Sequence, residues 1–127
     1  MRGGRGGDKA VLHIIDPDAS VRSALSRLAL AAGFEAHAHD GVERFLAQLA
    51  PASNGCILLD ASLLVGARQM TTAMKSRGID WPVIMLSTRH DDLAPHDARG
   101  VGARFLLNKP VDAQALLDAI AWVTEGE

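Results

Sequence analysis

The sequence has little of what would place it in several common classes of protein. Among 127 residues there is one cysteine, Cys56, which excludes a disulfide within the chain and a cysteine-rich zinc site. No apolar run approaches the roughly 20 residues that a membrane-spanning helix needs. The N-terminal segment MRGGRGGDKA is positively charged but lacks the apolar stretch of a secretory signal. We therefore expect a cytoplasmic protein in which Cys56 is a reduced, buried thiol.

The chain also lacks an excess of either charge. Thirteen lysines and arginines oppose 15 aspartates and glutamates, and the basic residues are scattered. Nucleic-acid binding normally requires a basic face, so direct binding of DNA or RNA is not expected. The five histidines are scattered as well, and His37 and His39 form the only close pair. Their setting predicts surface residues rather than a metal site.

What the sequence does have is an alternation of short apolar segments with amphipathic helical segments. The predicted strands are 10–15, 34–38, 56–59, 82–87 and 104–107, and the predicted helices are 19–32, 42–49, about 68–77, about 95–101 and one that starts after Asp112. Five such units predict a doubly wound α/β fold, in which helices cover both faces of a parallel sheet. We expect residues 10–124 to form this domain and residues 1–9 to form a flexible leader.

Polar side chains follow four of the five predicted strands. They are Asp16 and Asp18 after the first strand, Asp60 after the third, Ser87 at the end of the fourth, and Lys109 after the fifth. Doubly wound folds bind ligands at the carboxyl ends of their strands. Clustered carboxylates suit Mg²⁺, while a hydroxyl and an ammonium can hold phosphoryl oxygens. One carboxylate remains as a nucleophile, so the pattern predicts transfer of a phosphoryl group to an aspartate.

Four segments carry a resemblance to a known family. HIIDPDASVR, CILLD, VIMLST and FLLNKP occur in the order and at about the spacing typical of the receiver domain of bacterial two-component response regulators. The chain resembles that family over residues 10 to about 124. The resemblance implies a CheY-like, flavodoxin-like (βα)5 fold with strand order 2-1-3-4-5. It also implies phosphorelay signalling, in which a histidine kinase donates a phosphoryl group to an aspartate.

The resemblance assigns roles to individual residues. It makes Asp60 the phosphoacceptor, and it makes Ser87 and Lys109 the residues that bind the phosphoryl group, with Lys109 preceding a cis Pro110. Mg²⁺ would be held by Asp16, by Asp60 and by the backbone carbonyl of Ser62.

Two positions depart from the family's pattern. Pro17 stands where the family has a second acid that contacts the metal, and a site with fewer anionic ligands should bind Mg²⁺ weakly. Ser87 and Leu106 occupy the switch positions, but the family commonly has tyrosine or phenylalanine where this chain has Leu106. The neighbouring Phe105 should face the opposite side of its strand.

The resemblance further implies protein partners. These are a sensor histidine kinase or phosphotransfer protein, a downstream protein, and a second copy bound through the face formed by the fourth helix, fifth strand and fifth helix. Trp122 falls at or beyond the edge of the last helix's apolar stripe, where half-buried packing is expected. Phe105 and Trp122 are the candidate partner surface. No helix-turn-helix follows in the sequence, so we expect that any effect passes through another protein or that the chain is a fragment of a longer regulator.

Two other functions stay open. Pro17 and Leu106 favour a pseudo-receiver, a protein-binding module that works without phosphorylation. DPDASV also matches the nucleophile motif of haloacid-dehalogenase-like phosphohydrolases, with Asp16 as nucleophile and Asp18 as general acid, although the chain has no evident cap domain for that family. Under the receiver hypothesis the chain is not an enzyme, beyond catalysing its own phosphorylation and dephosphorylation.

Overall fold

The computed structural model describes residues 10–49, 54–88 and 99–125. Their elements are β1 (Val11–Ile15), α1 (Ala19–Ala31), β2 (Glu35–His39), α2 (Val42–Ala47), β3 (Gly55–Asp60), α3 (Leu64–Ser76), β4 (Val83–Ser87), β5 (Ala103–Asn108) and a C-terminal helix (Ala113–Glu125). The predicted leader and most of the predicted helix at 95–101 lie outside the described residues. Within them, no helix combines the length and apolar character that crossing a membrane requires.

The five strands form one sheet in the order β2-β1-β3-β4-β5. Every neighbouring pair is parallel. Each residue of β3 and β4 is buried, because helices cover both faces of the sheet. The predicted doubly wound fold and its strand order are therefore confirmed.

The sheet separates two apolar cores. One core lies under α2 and α3, and the other lies under α1 and the C-terminal helix. Met70, Met74 and Met85 belong to the first core. Cys56 belongs to the second, as predicted, and burial raises the pKa of its thiol to about 12. At neutral pH this cysteine therefore packs as a small apolar side chain.

The helix boundaries follow local hydrogen bonding. The carboxylate of Asp18 accepts the backbone N–H groups of Ser20 at 2.8 Å and Val21 at 3.4 Å, so Asp18 is the N-cap of α1. Asp112 likewise accepts the N–H of Ala115 at 2.8 Å at the start of the C-terminal helix. The predicted start of α3 is wrong by four residues. A turn of 3₁₀ helix at Ala61–Leu63 runs directly into α3, so the helix begins at Leu64.

Three histidines lie together on the face of the sheet that α2 covers. His13 in β1 pairs with His37 in β2, and His39 lies two residues further along β2. The prediction that His39 is a surface residue is wrong: it is 7% exposed, because the edge of its ring packs against Phe45. The ring of His13 stacks on Trp81 with centroids 4.9 Å apart. In the described part of the chain, no three or more histidine, cysteine, aspartate or glutamate side chains are placed to hold a metal.

Candidate functional site

The carboxyl ends of the strands bring the predicted site residues to one edge of the sheet. Asp16 follows β1 directly, and its backbone N–H donates to the carbonyl of His39 at 3.1 Å. Asp60 is the last residue of β3, and Ser87 is the last of β4. Lys109 follows β5, and its N–H donates to the carbonyl of Ser87 at 2.7 Å. The parallel register therefore places all four residues at the same edge.

The side chain of Lys109 joins the two acids. Its Nζ atom donates to Oδ2 of Asp16 at 2.7 Å and to Oδ1 of Asp60 at 2.5 Å. All three side chains are largely withdrawn from water, with that of Lys109 16% exposed. The structure thus brings together an acid from β1, an acid from β3 and an ammonium from the end of β5.

These contacts set the charge state of the site. Burial alone would raise the pKa of Asp60, but hydrogen bonds from Lys109 and Ser62 and the charge of Lys109 outweigh it and lower that pKa. Burial alone would lower the pKa of Lys109, but Asp16 and Asp60 outweigh it and raise that pKa. At neutral pH Asp60 is therefore a carboxylate and Lys109 an ammonium.

The remaining carboxylate oxygens also accept hydrogen bonds. Oδ1 of Asp16 accepts the backbone N–H of Asp18 at 2.8 Å. Oδ2 of Asp60 accepts the backbone N–H of Ser62 at 3.1 Å and the hydroxyl of the same serine. Each of the four carboxylate oxygens of Asp16 and Asp60 therefore has at least one donor within the protein.

The loop after β1 has no second acid for the site. Pro17 is exposed and cannot bind a cation through its side chain. The carboxylate of Asp18 is turned to the start of α1, where it serves as the cap. Arg22, which the sequence did not predict as part of the site, donates from Nη1 to the backbone carbonyl of Asp16 at 2.8 Å. The only feature of the sequence that could have indicated this contact was the position of Arg22 in the first turn of a helix that starts beside the site.

Ser87 lies at the edge, and its hydroxyl is not hydrogen-bonded to either acid. Its buried hydroxyl donates to the carbonyl of Thr88 at 3.0 Å. The peptide bond between Lys109 and Pro110 is cis, as expected. The structure therefore links three of the four predicted side chains directly and leaves Ser87 beside them.

The predicted switch residue Leu106 and the predicted partner residues Phe105 and Trp122 differ in how they pack. Leu106 packs on the core under α2 and α3, while Phe105 packs on the opposite core, so the predicted division between two faces is confirmed. Phe105 is partly buried by that packing, so only part of its ring remains at the surface. Trp122 is 69% exposed rather than half-buried. It lies about 200° around the helix from the buried Ile120 and so faces away from the sheet.

The donors at this edge suit a hard cation such as Mg²⁺. Asp16 and Asp60 offer carboxylate oxygens, and the carbonyl of Ser62 would complete the protein's share of the ligands. Two carboxylates make a weaker site than three, since ligand charge sets much of the affinity.

Comparisons with known proteins agree with the fold. Residues 12–121 match the family model described as "Response regulator receiver domain". The chain is 30% identical over 121 residues to "Transcriptional regulatory protein TdiR" of Thauera aromatica, covering 94% of this chain and 53% of that protein. Among solved structures it is similar to the response regulator StyR, with 30% identity and a TM-score of 0.78 over 92% of this chain and 60% of that one. "FixJ-N" has the same fold, with 24% identity and a TM-score of 0.78 over 93% of this chain and 95% of that one. The chain spans about half the length of the curated relatives it matches.

Proposed function

Since this chain belongs to the response regulator receiver domain family of two-component systems, we propose that Asp60 accepts a phosphoryl group from a histidine kinase or phosphotransfer protein. The observation that carries the proposal is the contact of Lys109 with Asp60 at 2.5 Å, which keeps a buried carboxylate charged and therefore nucleophilic. We further propose that the chain acts in the cytoplasm, passes the signal to another protein and does not bind nucleic acid itself.

In the proposed reaction, an oxygen of Asp60 attacks the phosphorus of a phosphohistidine. A P–O bond to Asp60 forms while the P–N bond to histidine breaks, and the departing imidazole takes a proton from solvent. Lys109 would hold the phosphoryl oxygens with its ammonium, and the Ser87 hydroxyl would turn from Thr88 towards them. Mg²⁺, when bound by Asp16, Asp60 and the Ser62 carbonyl, would neutralise further phosphoryl charge. The only catalysis in this proposal is self-phosphorylation and self-dephosphorylation.

Incubation with acetyl phosphate and Mg²⁺ tests the proposal directly. The folded protein is expected to gain the mass of one phosphoryl group at Asp60, and Asp60→Asn is expected to abolish the gain because the nucleophile is lost. Asp118→Asn, which changes an exposed acid on the C-terminal helix, should be phosphorylated like the unmodified chain. Intact-mass spectrometry with peptide mapping measures both. A folded protein that gains no phosphoryl group would favour the pseudo-receiver instead.

Pro17→Asp should increase the affinity for Mg²⁺. The substitution restores a carboxylate at the position where the family has a metal-contacting acid, and we expect binding to tighten about tenfold or more. Pro17→Asn is the matched control, because it frees the backbone in the same way without adding charge. NMR titration of the resonances near Asp60 measures the affinity. Equal affinities for the Asp and Asn variants would show that position 17 lies outside the metal site.

A partner surface is proposed at Trp122. Its indole is the most exposed aromatic ring among the described residues, and large aromatic side chains are enriched at interfaces. The partner would be a downstream protein or a second copy of the chain. The same surface would serve the pseudo-receiver, which Pro17 and Leu106 favour.

Phosphohydrolase action is disfavoured, since Asp18 caps α1 and is not free to act as a general acid.

A further inference from the structure

We propose that Arg22 is a positioning residue, which holds the backbone of Asp16 so that the Asp16 carboxylate stays turned towards Lys109. The side chain of Arg22 reaches back from the first turn of α1, and its Nη1 atom donates to the carbonyl oxygen of Asp16 at 2.8 Å. The inference rests on the proposed function in that Asp16 belongs to the phosphorylation site, and Arg22 acts on that site through Asp16.

Arg22 spans the loop between β1 and α1. Its side chain binds the carbonyl of Asp16 at the beginning of this loop, and its backbone N–H donates to the carbonyl of Asp18 at the end, at 3.0 Å. The side-chain donor is charged and half-buried, which makes the hydrogen bond stronger than one between neutral groups in water. One residue of α1 therefore fixes both ends of a three-residue loop.

Both backbone polar groups of Asp16 have a partner in another element. The N–H donates to the carbonyl of His39 in β2 at 3.1 Å, and the carbonyl accepts from Arg22 in α1. Asp16 is only 2% exposed, so without Arg22 its carbonyl would be left buried with one donor fewer. Leaving a buried acceptor unsatisfied is costly. We therefore expect the loop to rearrange when Arg22 is lost, and the Asp16 carboxylate to turn with its backbone.

Pro17 makes the position of Asp16 more critical. Proline has no N–H group, so position 17 contributes no backbone donor to the loop. It contributes no carboxylate either, and the carboxylate of Asp18 is turned to the start of α1. Asp16 is thus the one acid of this loop that faces the site, and no second acid can compensate when it is displaced. A displacement of about 1 Å can slow a reaction by about a hundredfold.

Amide hydrogen exchange, followed by NMR, tests the contact without phosphorylation. Arg22→Met keeps a long side chain but removes the donor, and it should speed exchange at the amide of Asp16 by about tenfold or more, because the loop opens more often. The amide of Leu58, in the middle of β3, should be unaffected. Arg27→Met is the matched control, since it removes an exposed arginine from the same helix. Equal exchange at Asp16 in the Arg22→Met variant and the unmodified chain would overturn the proposal.

Phosphorylation by acetyl phosphate with Mg²⁺ separates positioning from binding of the donor. Arg22→Met should lower the maximal rate about tenfold and leave KM nearly unchanged, because the misplaced acid affects the transition state rather than donor binding. Arg22→Lys, which keeps the charge and a donor, should recover part of the rate, and Arg27→Met should leave both parameters unchanged. A raised KM with an unchanged maximal rate would show that the guanidinium attracts the anionic donor instead, and would contradict the proposal.

The two experiments fail in distinguishable ways. If the unmodified chain is not phosphorylated, the proposed function is wrong, and the exchange rates at Asp16 still decide whether Arg22 holds the loop.

The unmodified protein offers a test that survives if Arg22→Met does not fold. A guanidinium held on a backbone carbonyl rotates slowly, so the Nη protons of Arg22 should give resolved signals in ¹⁵N NMR spectra at low temperature. The exposed Arg27 should give an averaged signal under the same conditions. An averaged signal for Arg22 as well would show that the contact with Asp16 is not maintained, and would overturn the proposal.

Discussion

Replacing Gly55 with alanine is expected to destabilise the protein by about 3 kcal/mol. A Cβ atom at this position would lie 2.3 Å from the indole ring of Trp81, far inside van der Waals contact. The ring cannot easily move away, because it stacks on the ring of His13 with centroids 4.9 Å apart and an interplanar angle of 7°. Gly55 is also buried at the start of β3, so its own backbone has little room to shift. Urea unfolding measures the loss.

Two variants distinguish this clash from a general effect of adding a methyl group. Gly41→Ala is the control: its backbone is extended and its Cβ would meet nothing within 4 Å, so stability should change little. In a Trp81→Leu background, Gly55→Ala should cost about 1 kcal/mol or less, because the smaller side chain can yield. An undiminished cost in that background would assign the effect to the backbone of β3 rather than to Trp81.

Acidification from pH 7 to pH 4 should remove on the order of 1–2 kcal/mol of stability through His13 alone, less than the full pKa shift corresponds to, because the ring is partly exposed to solvent. Burial, together with the nearby His39 and His37, lowers the pKa of His13 from 6.5 to about 4, although Glu35 opposes the shift. The unfolded chain therefore binds more protons than the folded one between these values. His13 contributes its full stabilisation above pH 6.5, and the contribution is lost as the pH falls to about 4. The pKa of His39 is lowered as well, mainly by burial, and adds loss of the same sign.

Urea unfolding at a series of pH values between 7 and 4 measures this dependence. His13→Phe keeps a ring against Trp81 but cannot be protonated, so its stability should fall less steeply over this range. His37→Gln changes an exposed ring and should retain most of the slope. Asp60 affects stability in a different pH range. Because the pKa of its carboxyl group is lowered in the folded protein, the stabilisation that Asp60 provides is lost only at still lower pH. Identical slopes for His13→Phe and the unmodified chain would exclude His13 as the source.

The fold and the edge of the sheet that carries the site could be predicted because the same sequence segments indicate both. Fully apolar strands indicate a sheet covered on two faces, and the position where the apolar run stops at Asp16 or Asp60 marks the edge. Periodicity could not show that Arg22 reaches back to the Asp16 carbonyl. That contact belongs to a particular loop conformation rather than to a repeating pattern.

The two wrong exposure predictions have different physical origins. The sequence predicts a surface position for His39 because the residue lies in a short strand-to-loop segment, but packing with Phe45 covers it. It predicts half-buried packing for Trp122 because the residue falls at or beyond the edge of the helix's apolar stripe. The C-terminal helix buries Leu116, Ala119 and Ile120 against the sheet. This orientation about the helix axis places Trp122 on the side that faces solvent. In both cases tertiary packing overrode the tendency of the residue type.

The contacts of Lys109 have a mechanical consequence for the sheet. The edge strand β5 has a hydrogen-bonded neighbour on one side only, which is β4. Through the residue that follows it, β5 is nevertheless tied across β4 to the ends of β3 and β1. A reaction at Asp60 that draws Lys109 away from Asp16 would therefore remove a hydrogen bond that holds the end of edge strand β5. In this way a change at the end of the central strand β3 can alter the outer edge of the sheet without a hinge.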